Sequence, residues 1–201
     1  VIMTGSGSDH RVKLKVIELD NSGAVQVRRP SLDLWYFEPT VIDIDQNGTD
    51  ELLLFRGSQI QAVRIDSNGQ PTIVADSTYC ADGYSGFNVP DQTNFADMNG
   101  DGRMDFVHLL FHVESGQTHV GVATGDGTGR FLFSTAIAST GSDIRCRPAD
   151  INGDGRQDLL ISEDDYVRPG VAYRRIQVLL QNAAGQFVPT FSTTARADID
   201  G

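Results

Sequence analysis

The sequence predicts an all-β protein made of repeated four-stranded antiparallel sheets, and three observations lead to that prediction. Short apolar runs of strand length recur along the 201 residues, and turn residues, including many of the 21 glycines, separate them. A glycine turn of the hairpin type joins two of these runs in every repeat. An acidic motif also returns at a nearly constant interval, which is typical of a repeat array.

The acidic motif is clearest in "DMNGDGRMD". Asp97, Asn99, Asp101 and Asp105 fall at positions 1, 3, 5 and 9 of this segment, and a glycine stands at position 6. Three carboxylates so close together repel one another unless a cation lies between them. In a tight loop the alternate side chains turn inward, and a set of oxygen ligands favours Ca²⁺ over the stricter Mg²⁺. Arg103 at position 7 would offer only its backbone carbonyl and point its guanidinium to water.

The motif recurs in "DINGDGRQD" and, more loosely, in "DIDQNGTDE". A fourth copy opens with Asp198 and Asp200 and should bind nothing here, because its remaining ligand positions lie beyond the last residue. The copies begin at residues 43, 97, 150 and 198, so they are 54, 53 and 48 residues apart. The predicted ligands are Asp150, Asn152, Asp154, the Arg156 carbonyl and Asp158 in one copy, and Asp43, Asp45, Asn47, the Thr49 carbonyl and Glu51 in the other.

These loops predict two or three calcium sites, of which the one from Asp43 to Glu51 should be the weakest. All three complete loops carry three negatively charged ligands, so charge does not rank them. Geometry does, because Glu51 adds a methylene at position 9 and Gln46 replaces the glycine that the other two loops have at position 4. Calcium affinity depends on the rigidity of the site as well as on its charge.

The EF-hand is the nearest alternative, but it requires a bidentate Glu at position 12 and a helix on each side. Position 12 is Leu54, His108 or Ile161 in the three complete loops. The runs that follow the loops are short, apolar and bounded by turns, which predicts strands. The ion would therefore be held between two strands.

Each repeat contains four strand-like runs, which is the pattern of β-propeller blades. In one repeat, "TVIDI" leads into the acidic loop and "ELLLF" leaves it, and "IQAVRI", a glycine turn and "PTIVA" complete the sheet. The sequence divides into a partial blade at 1–32, blades at 33–88, 89–140 and 141–194, and the first strand of a further or ring-closing blade at 195–201. About four blade equivalents are present, and a segment of a larger propeller, such as a seven-bladed one, is the preferred interpretation.

Nearly the whole chain resembles the FG-GAP and VCBS-type repeats of integrin α-subunits and many bacterial secreted proteins. The matching segments are "ADMNGDGRMDFV", "ADINGDGRQDLLI" and the turn "GDGTGRF", with "NAAGQF" as a weaker form. The resemblance implies a calcium-stiffened propeller with metal loops between strands one and two of each blade, in a secreted or cell-surface protein. It does not imply one function, since such repeats occur in integrins, in lectins and in toxin-related proteins.

Composition excludes some partners and the search for motifs gives no support for catalysis. A net charge of −11 repels nucleic acid and anionic membranes, and no apolar stretch approaches the length of a transmembrane helix. The sequence contains no G-x-S-x-G elbow, P-loop or dinucleotide fingerprint, so no enzyme activity is predicted. Cys80 and Cys146 are expected to stay unpaired, although a disulfide is compatible with export. Asp164 and Asp165 in "SEDDY" are expected at a solvated hairpin tip.

Aromatic residues in two insertions between the predicted blades are the remaining candidates for a binding site. Trp35 and Tyr36 lie in the first insertion, and Tyr79 and Tyr84 lie in the second. They either fill the core between blades or form a contact surface for carbohydrate or protein. Two functions stay open: a scaffold or protein-interaction module of a larger polypeptide, and a lectin with sugar pockets between blades. The scaffold is favoured because the aromatic residues do not recur at the repeat period.

Overall fold

The computed structural model describes residues 2–5, 12–19, 25–28, 33–34, 39–86, 94–138, 142–168 and 171–198. Within these ranges the chain forms strands and turns and no α-helix, and the strands make four antiparallel sheets. The predicted all-β class with four-stranded, propeller-like blades is confirmed. The described residues contain no helix long and apolar enough to cross a membrane.

The first sheet consists of three successive strands and one short extra strand. β1, β2 and β3 pair in chain order, as predicted for three consecutive strands of one blade. β4 pairs with the N-terminal end of β2, so residues 33 and 34 belong to this sheet and not to the blade predicted to begin at residue 33. The strands are β1 (Ile2–Gly5), β2 (Val12–Leu19), β3 (Val25–Arg28) and β4 (Asp33–Leu34).

The second and third sheets follow the same up-and-down order. In the third sheet an additional short strand, β9, pairs with the end of β11. The second sheet contains β5 (Pro39–Ile42), β6 (Glu51–Arg56), β7 (Gln59–Ile65) and β8 (Pro71–Thr78). The third contains β9 (Tyr84–Gly86), β10 (Phe95–Ala96), β11 (Asp105–His112), β12 (Thr118–Gly125) and β13 (Phe131–Ala138).

The fourth sheet has the longest strands: β14 (Ser142–Ala149), β15 (Asp158–Arg168), β16 (Val171–Gln181) and β17 (Phe187–Asp198). Because β16 offers backbone partners along its whole length, β17 stays paired as far as Asp198. Residues 195–198 thus extend the fourth strand of this sheet, whereas the sequence analysis assigned them to a new one. Asp200 lies outside the described residues, and the division into blades around a ring stays a prediction.

The acidic run in β15 is not a solvated hairpin tip. Asp164 is buried within the strand and accepts two hydrogen bonds, both 2.8 Å long, from the guanidinium of Arg174 on β16. Glu163, also buried, forms an ion pair of 3.1 Å with Arg175. Cross-strand arginines therefore neutralise these acids, and β15 continues through Asp165 to Arg168.

Two apolar cores hold the second, third and fourth sheets together. Alternate residues of β11 point to opposite faces: Phe106 and Leu110 pack against the second sheet, and Val107 and Leu109 pack against the fourth. Cys80 belongs to the first core and Cys146 to the second, and both thiols are free. The third sheet separates the two cysteines.

His108 lies in the core between the second and third sheets. Its side chain is 2% exposed, and neither ring nitrogen has a hydrogen-bond partner of good geometry. The rings of Tyr79 and Phe106 each lie 4.9 Å from the imidazole, measured between centroids. Burial lowers the pKa of His108 to about 3, and the Leu109 backbone opposes this shift. The folded protein therefore holds His108 as a neutral imidazole.

We predict that His108 makes the folded protein less stable at acidic pH. In the unfolded chain His108 takes up a proton near its ordinary pKa of 6.5, and in the folded chain only near 3. The contribution of neutral His108 to the free energy of unfolding is therefore complete above pH 6.5 and is lost as the pH falls toward 3. Urea unfolding of the wild type and of His108→Leu across this window measures the effect. The difference in unfolding free energy between the two proteins should change with pH, and a constant difference would contradict the prediction.

Candidate metal centre

The three complete acidic loops are called the first (Asp43–Glu51), second (Asp97–Asp105) and third (Asp150–Asp158) loop. They connect β5 to β6, β10 to β11 and β14 to β15. In the second loop, Asp97 organises the backbone. Its Oδ1 accepts hydrogen bonds from the N–H groups of Gly100 (2.7 Å) and Asp101 (3.1 Å), and its Oδ2 accepts one from Gly102 (2.8 Å). The carboxylate is thus turned into the loop, as a ligand at position 1 must be.

Positions 3 and 5 of the second loop continue the same pattern. The Asn99 side-chain carbonyl accepts a hydrogen bond from the Asp101 N–H (2.8 Å), and its amide donates to the Asp101 carboxylate (3.2 Å). Asp101 accepts a further bond from the N–H of Arg103 (2.9 Å). These side chains are exposed and retain free lone pairs, so the oxygen set has the chemistry that a calcium ion requires.

The third loop reproduces the second nearly atom for atom. Asp150 accepts bonds from the backbone N–H groups at positions 4, 5 and 6, at 2.8, 3.1 and 2.9 Å. Asn152 accepts from the Asp154 N–H (3.0 Å) and donates to its carboxylate (2.9 Å). Two copies with one geometry show that the motif itself determines the shape of the loop.

The acid at position 9 is buried and connects the loop to the hairpin behind it. Asp105 is 0% exposed; its Oδ2 accepts from the Met98 N–H (2.9 Å) and its Oδ1 from the Gly125 N–H at the end of β12 (2.8 Å). Burial raises the pKa of Asp105 to about 6, the hydrogen bonds from Gly125 and Met98 oppose the shift, and the nearby charges of Asp101 and Asp97 add to it.

Asp158 has the same role in the third loop. It is 0% exposed and accepts hydrogen bonds from the N–H groups of Ile151 (2.9 Å) and Gln181 (2.8 Å). Gln181 ends β16 as Gly125 ends β12, so the two contacts are equivalent. The acid at position 9 therefore has a structural role in addition to its predicted role as a metal ligand.

The first loop differs from the other two because an arginine enters it from β7. The Asp43 carboxylate still accepts from Asn47 (3.0 Å) and Gly48 (2.7 Å), and Glu51 accepts from the Ile44 N–H (3.2 Å). One oxygen each of Asp43, Asp45 and Glu51 lies within 4.8 Å of the others. Between two of these acids, Arg64 donates to Glu51 Oε1 (2.8 Å) and Asp45 Oδ2 (2.5 Å).

Position 4 also distinguishes the first loop. Gly100 and Gly153 adopt φ values of +78° and +76°, and Gln46 is held at +56°, the left-handed region that L-residues seldom adopt. Its side chain donates to the carbonyl of Gly102 in the second loop (3.2 Å). Gln46 thus adopts the same left-handed region as the two glycines, and the predicted order of affinities stays a prediction.

The arginines at position 7 behave differently from each other. Arg103 is exposed, with a nitrogen 3.8 Å from the Asp101 carboxylate, as expected of a side chain that points to water. Arg156 instead donates from Nε to the carbonyl of Gln181 (3.0 Å) and from Nη2 to the Asp154 carboxylate. Its guanidinium therefore contacts the protein, since the end of β16 lies close to the third loop.

The aromatic candidates do not form a described binding surface. Tyr79 is 1% exposed and donates to the Gly57 carbonyl (2.6 Å), so its assignment to a ligand site is wrong and the core-filling alternative holds. The chain after β8 turns into the core between sheets, which places this ring inside. Tyr84 is half-buried against His112, with centroids 4.8 Å apart. Trp35 and Tyr36 lie outside the described residues.

Arg64 is the functional candidate that the sequence analysis missed. Its position follows from the strand pairing, because Leu52 faces Val63 and the next pair is Glu51 and Arg64. The sequence signal was a cation on the third strand of the sheet, directly after Ala62 and Val63. Only the strand register shows that this residue faces position 9 of the loop.

Residues 97–161 match the family model of the FG-GAP-like repeat. The match begins at position 1 of the second loop and ends in β15, so it covers the second and third loops, β11 to β14 and the start of β15. It confirms the predicted resemblance for this part of the chain. No curated protein matches the chain.

We predict that position 4 of the loops is sensitive to the loss of glycine. At Gly153 an added Cβ would meet nothing within 4 Å, so Gly153→Ala tests the backbone conformation alone and should cost about 1–2 kcal/mol of unfolding free energy. Gln46→Ala is the matched control and should have little effect, because that position already carries a side chain. Urea unfolding measures both, and equal losses would contradict the prediction.

We predict that positions 5 and 9 of the second loop respond differently to chelation. Asp105→Ala leaves the buried N–H groups of Met98 and Gly125 without acceptors and should destabilise the protein, by about 1–3 kcal/mol for each group, with or without calcium. Asp101→Ala should have a large effect only in calcium, because that side chain is exposed. Unfolding in EDTA and in calcium separates them, and matching profiles for the two variants would refute the distinction.

Proposed function

We propose, from the FG-GAP-like repeat at residues 97–161, that the chain is a calcium-stabilised, propeller-like interaction module of a larger secreted or surface protein. The observation that supports it best is the shared geometry of the second and third loops. Both loops hold the side-chain oxygens at positions 1, 3 and 5 in place by the same hydrogen bonds from the loop backbone. A toxin-related parent protein is one of the contexts that the family resemblance allows.

The residues that would hold calcium are exposed acids and amides attached to a buried anchor. Calcium would supply two positive charges that offset the repulsion among the carboxylates of each loop. Asp105 and Asp158 already join the loops to the hairpins, so stiffening a loop also stiffens its sheet. The proposed ligands are Asp97, Asn99, Asp101, the Arg103 carbonyl and Asp105, and Asp150, Asn152, Asp154, the Arg156 carbonyl and Asp158.

A protein partner fits the distribution of exposed apolar side chains. The last strand of each of the second, third and fourth sheets exposes large hydrophobic residues: Ile73 on β8, Leu132 on β13, and Val188 and Phe191 on β17. Leu132 is 66% exposed and Phe191 54%. Apolar groups along outer strands are suited to contact with another protein or with the rest of a larger polypeptide. FG-GAP-type repeats are generally non-catalytic scaffolds, and the proposal assigns no reaction.

Carbohydrate binding is the second candidate, and a groove between the third and fourth sheets favours it. The groove has a volume of about 620 Å³ and is lined by polar groups that include Asn99, Thr135, Gln157 and Asn182. Hydroxyl and amide groups of this kind can bind sugar hydroxyls. Among the described residues, neither Tyr79 nor Tyr84 lines the groove.

We predict that calcium raises the melting temperature of the protein and that EDTA lowers it. A ligand that binds only the folded state stabilises that state by mass action. Asp101→Ala and Asp154→Ala should each lose part of the shift, and the double variant should lose nearly all of it. An unchanged melting curve on addition of EDTA to calcium-loaded protein would remove the proposed calcium role.

A glycan array on the 201-residue chain separates the two candidate functions. A scaffold or protein-interaction module should bind no glycan on the array above background. Specific binding that is lost in Gln157→Ala and Asn182→Ala would instead support a lectin with its pocket in the groove between the third and fourth sheets.

A further inference from the structure

We propose that Arg64 is the permanent cation of the first acidic loop, so that this loop takes no calcium and the chain binds two calcium ions, in the second and third loops. The inference deepens the proposed function and rests on the calcium role proposed there for those two loops. It assigns the carboxylate cluster of Asp43, Asp45 and Glu51 to an internal ion pair and not to a metal.

The contacts of Arg64 span two ligand positions of the loop. Nη2 donates to Asp45 at position 3 (2.5 Å) and Nε donates to Glu51 at position 9 (2.8 Å). A calcium ion in this loop would have to bridge the same two carboxylates. The planar guanidinium reaches both at once, which a single point charge on a shorter side chain would not do.

Strand register makes this arrangement specific to the first loop. Position 9 faces Arg64 in the second sheet, Thr124 in the third and Leu180 in the fourth, as the flanking pairs show. The second and third loops therefore have no cation at the equivalent place. Arg103 and Arg156 approach from position 7 within their own loops, and among the loop acids they contact only the one at position 5.

The identity of the acid at position 9 agrees with this difference. Asp105 and Asp158 each use one oxygen to accept a backbone N–H at the end of the third strand of the sheet. Glu51, which is one methylene longer, uses the corresponding oxygen to accept from the guanidinium of Arg64. The longer acid and the arginine thus form a matched pair that replaces a backbone contact.

Charge opposes calcium entry while Arg64 stays in place. A calcium ion would have to displace a guanidinium that remains charged and would then lie close to it. Displacement would also deprive Arg64 of both carboxylate partners, Asp45 and Glu51.

Calorimetric titration of the 201-residue chain with CaCl₂ tests the proposal. The wild type should bind two equivalents, and Arg64→Thr, which installs the residue of the third sheet, should bind three. Arg130→Thr is the matched control, because Arg130 is exposed in the turn between β12 and β13 and the charge change is the same. The control should keep two equivalents. Three equivalents in the wild type, or an unchanged number in Arg64→Thr, would overturn the proposal.

Asp45→Asn and Arg64→Lys keep the test decisive if Arg64→Thr does not fold. Asp45→Asn should lower the melting temperature in EDTA and leave the calcium number at two, whereas Asp101→Asn should reduce that number by one. Arg64→Lys should retain two sites, since it keeps a cation in the loop. A lost equivalent in Asp45→Asn, or a gained one in Arg64→Lys, would count against Arg64 as the cation of the loop.

The titration also separates this proposal from the proposed function. If the wild type binds no calcium but Arg64→Thr binds one equivalent, the calcium role of the second and third loops fails and the assignment of Arg64 stands. If the wild type binds two equivalents and Arg64→Thr also binds two, the calcium role of the second and third loops stands and the assignment of Arg64 fails. No binding by either protein would overturn both.

Discussion

The buried carboxylate at position 9 of each loop is the contact on which the rest of the structure depends. Glu51, Asp105 and Asp158 are all 0% exposed, and a buried acid requires hydrogen-bond partners on every side. Those partners come from the loop that precedes the acid and from β7, β12 or β16, the strand that follows and pairs with the one that the acid begins. Because the same residue begins β6, β11 or β15, its fixed position also determines which of the following residues face each apolar core.

The three loops share one backbone turn but differ in the charged groups that face their acids. All share the turn formed around the acid at position 1, so the shape of the loop does not depend on the source of positive charge. In the second and third loops the side chains at positions 1, 3 and 5, two aspartates and one asparagine in each loop, are exposed except for the half-buried Asp97. In the first loop, Arg64 donates to two of the acids, and Gln46, which adopts a positive φ, donates from its side chain to the second loop. The acids of a loop can therefore have different charged partners while the fold of the sheet stays the same.

The sequence predicted the repeat, the all-β class and the turn of each loop, because those features depend on residues close together in the chain. Residues that matter through pairing were not predictable in this way. Arg64 faces Glu51 only once the register of β6 and β7 is known, and Asp164 is neutralised by Arg174 across a similar pair. The burial of Tyr79 and the pairing of the end of β17 depend on how the chain returns to the sheets, and no local sequence pattern specifies that path.

Amide side chains connect the loops to neighbouring sheets, which extends the effect of any ion beyond its own loop. Gln46 of the first loop donates to the Gly102 carbonyl of the second (3.2 Å), and Gln181 at the end of β16 donates to the Met98 carbonyl in the same second loop (2.8 Å). The second loop is thus held from both sides, by the second sheet and by the fourth. A change in its conformation must move groups on two neighbours, so the stiffness of this loop contributes to the packing of all three sheets.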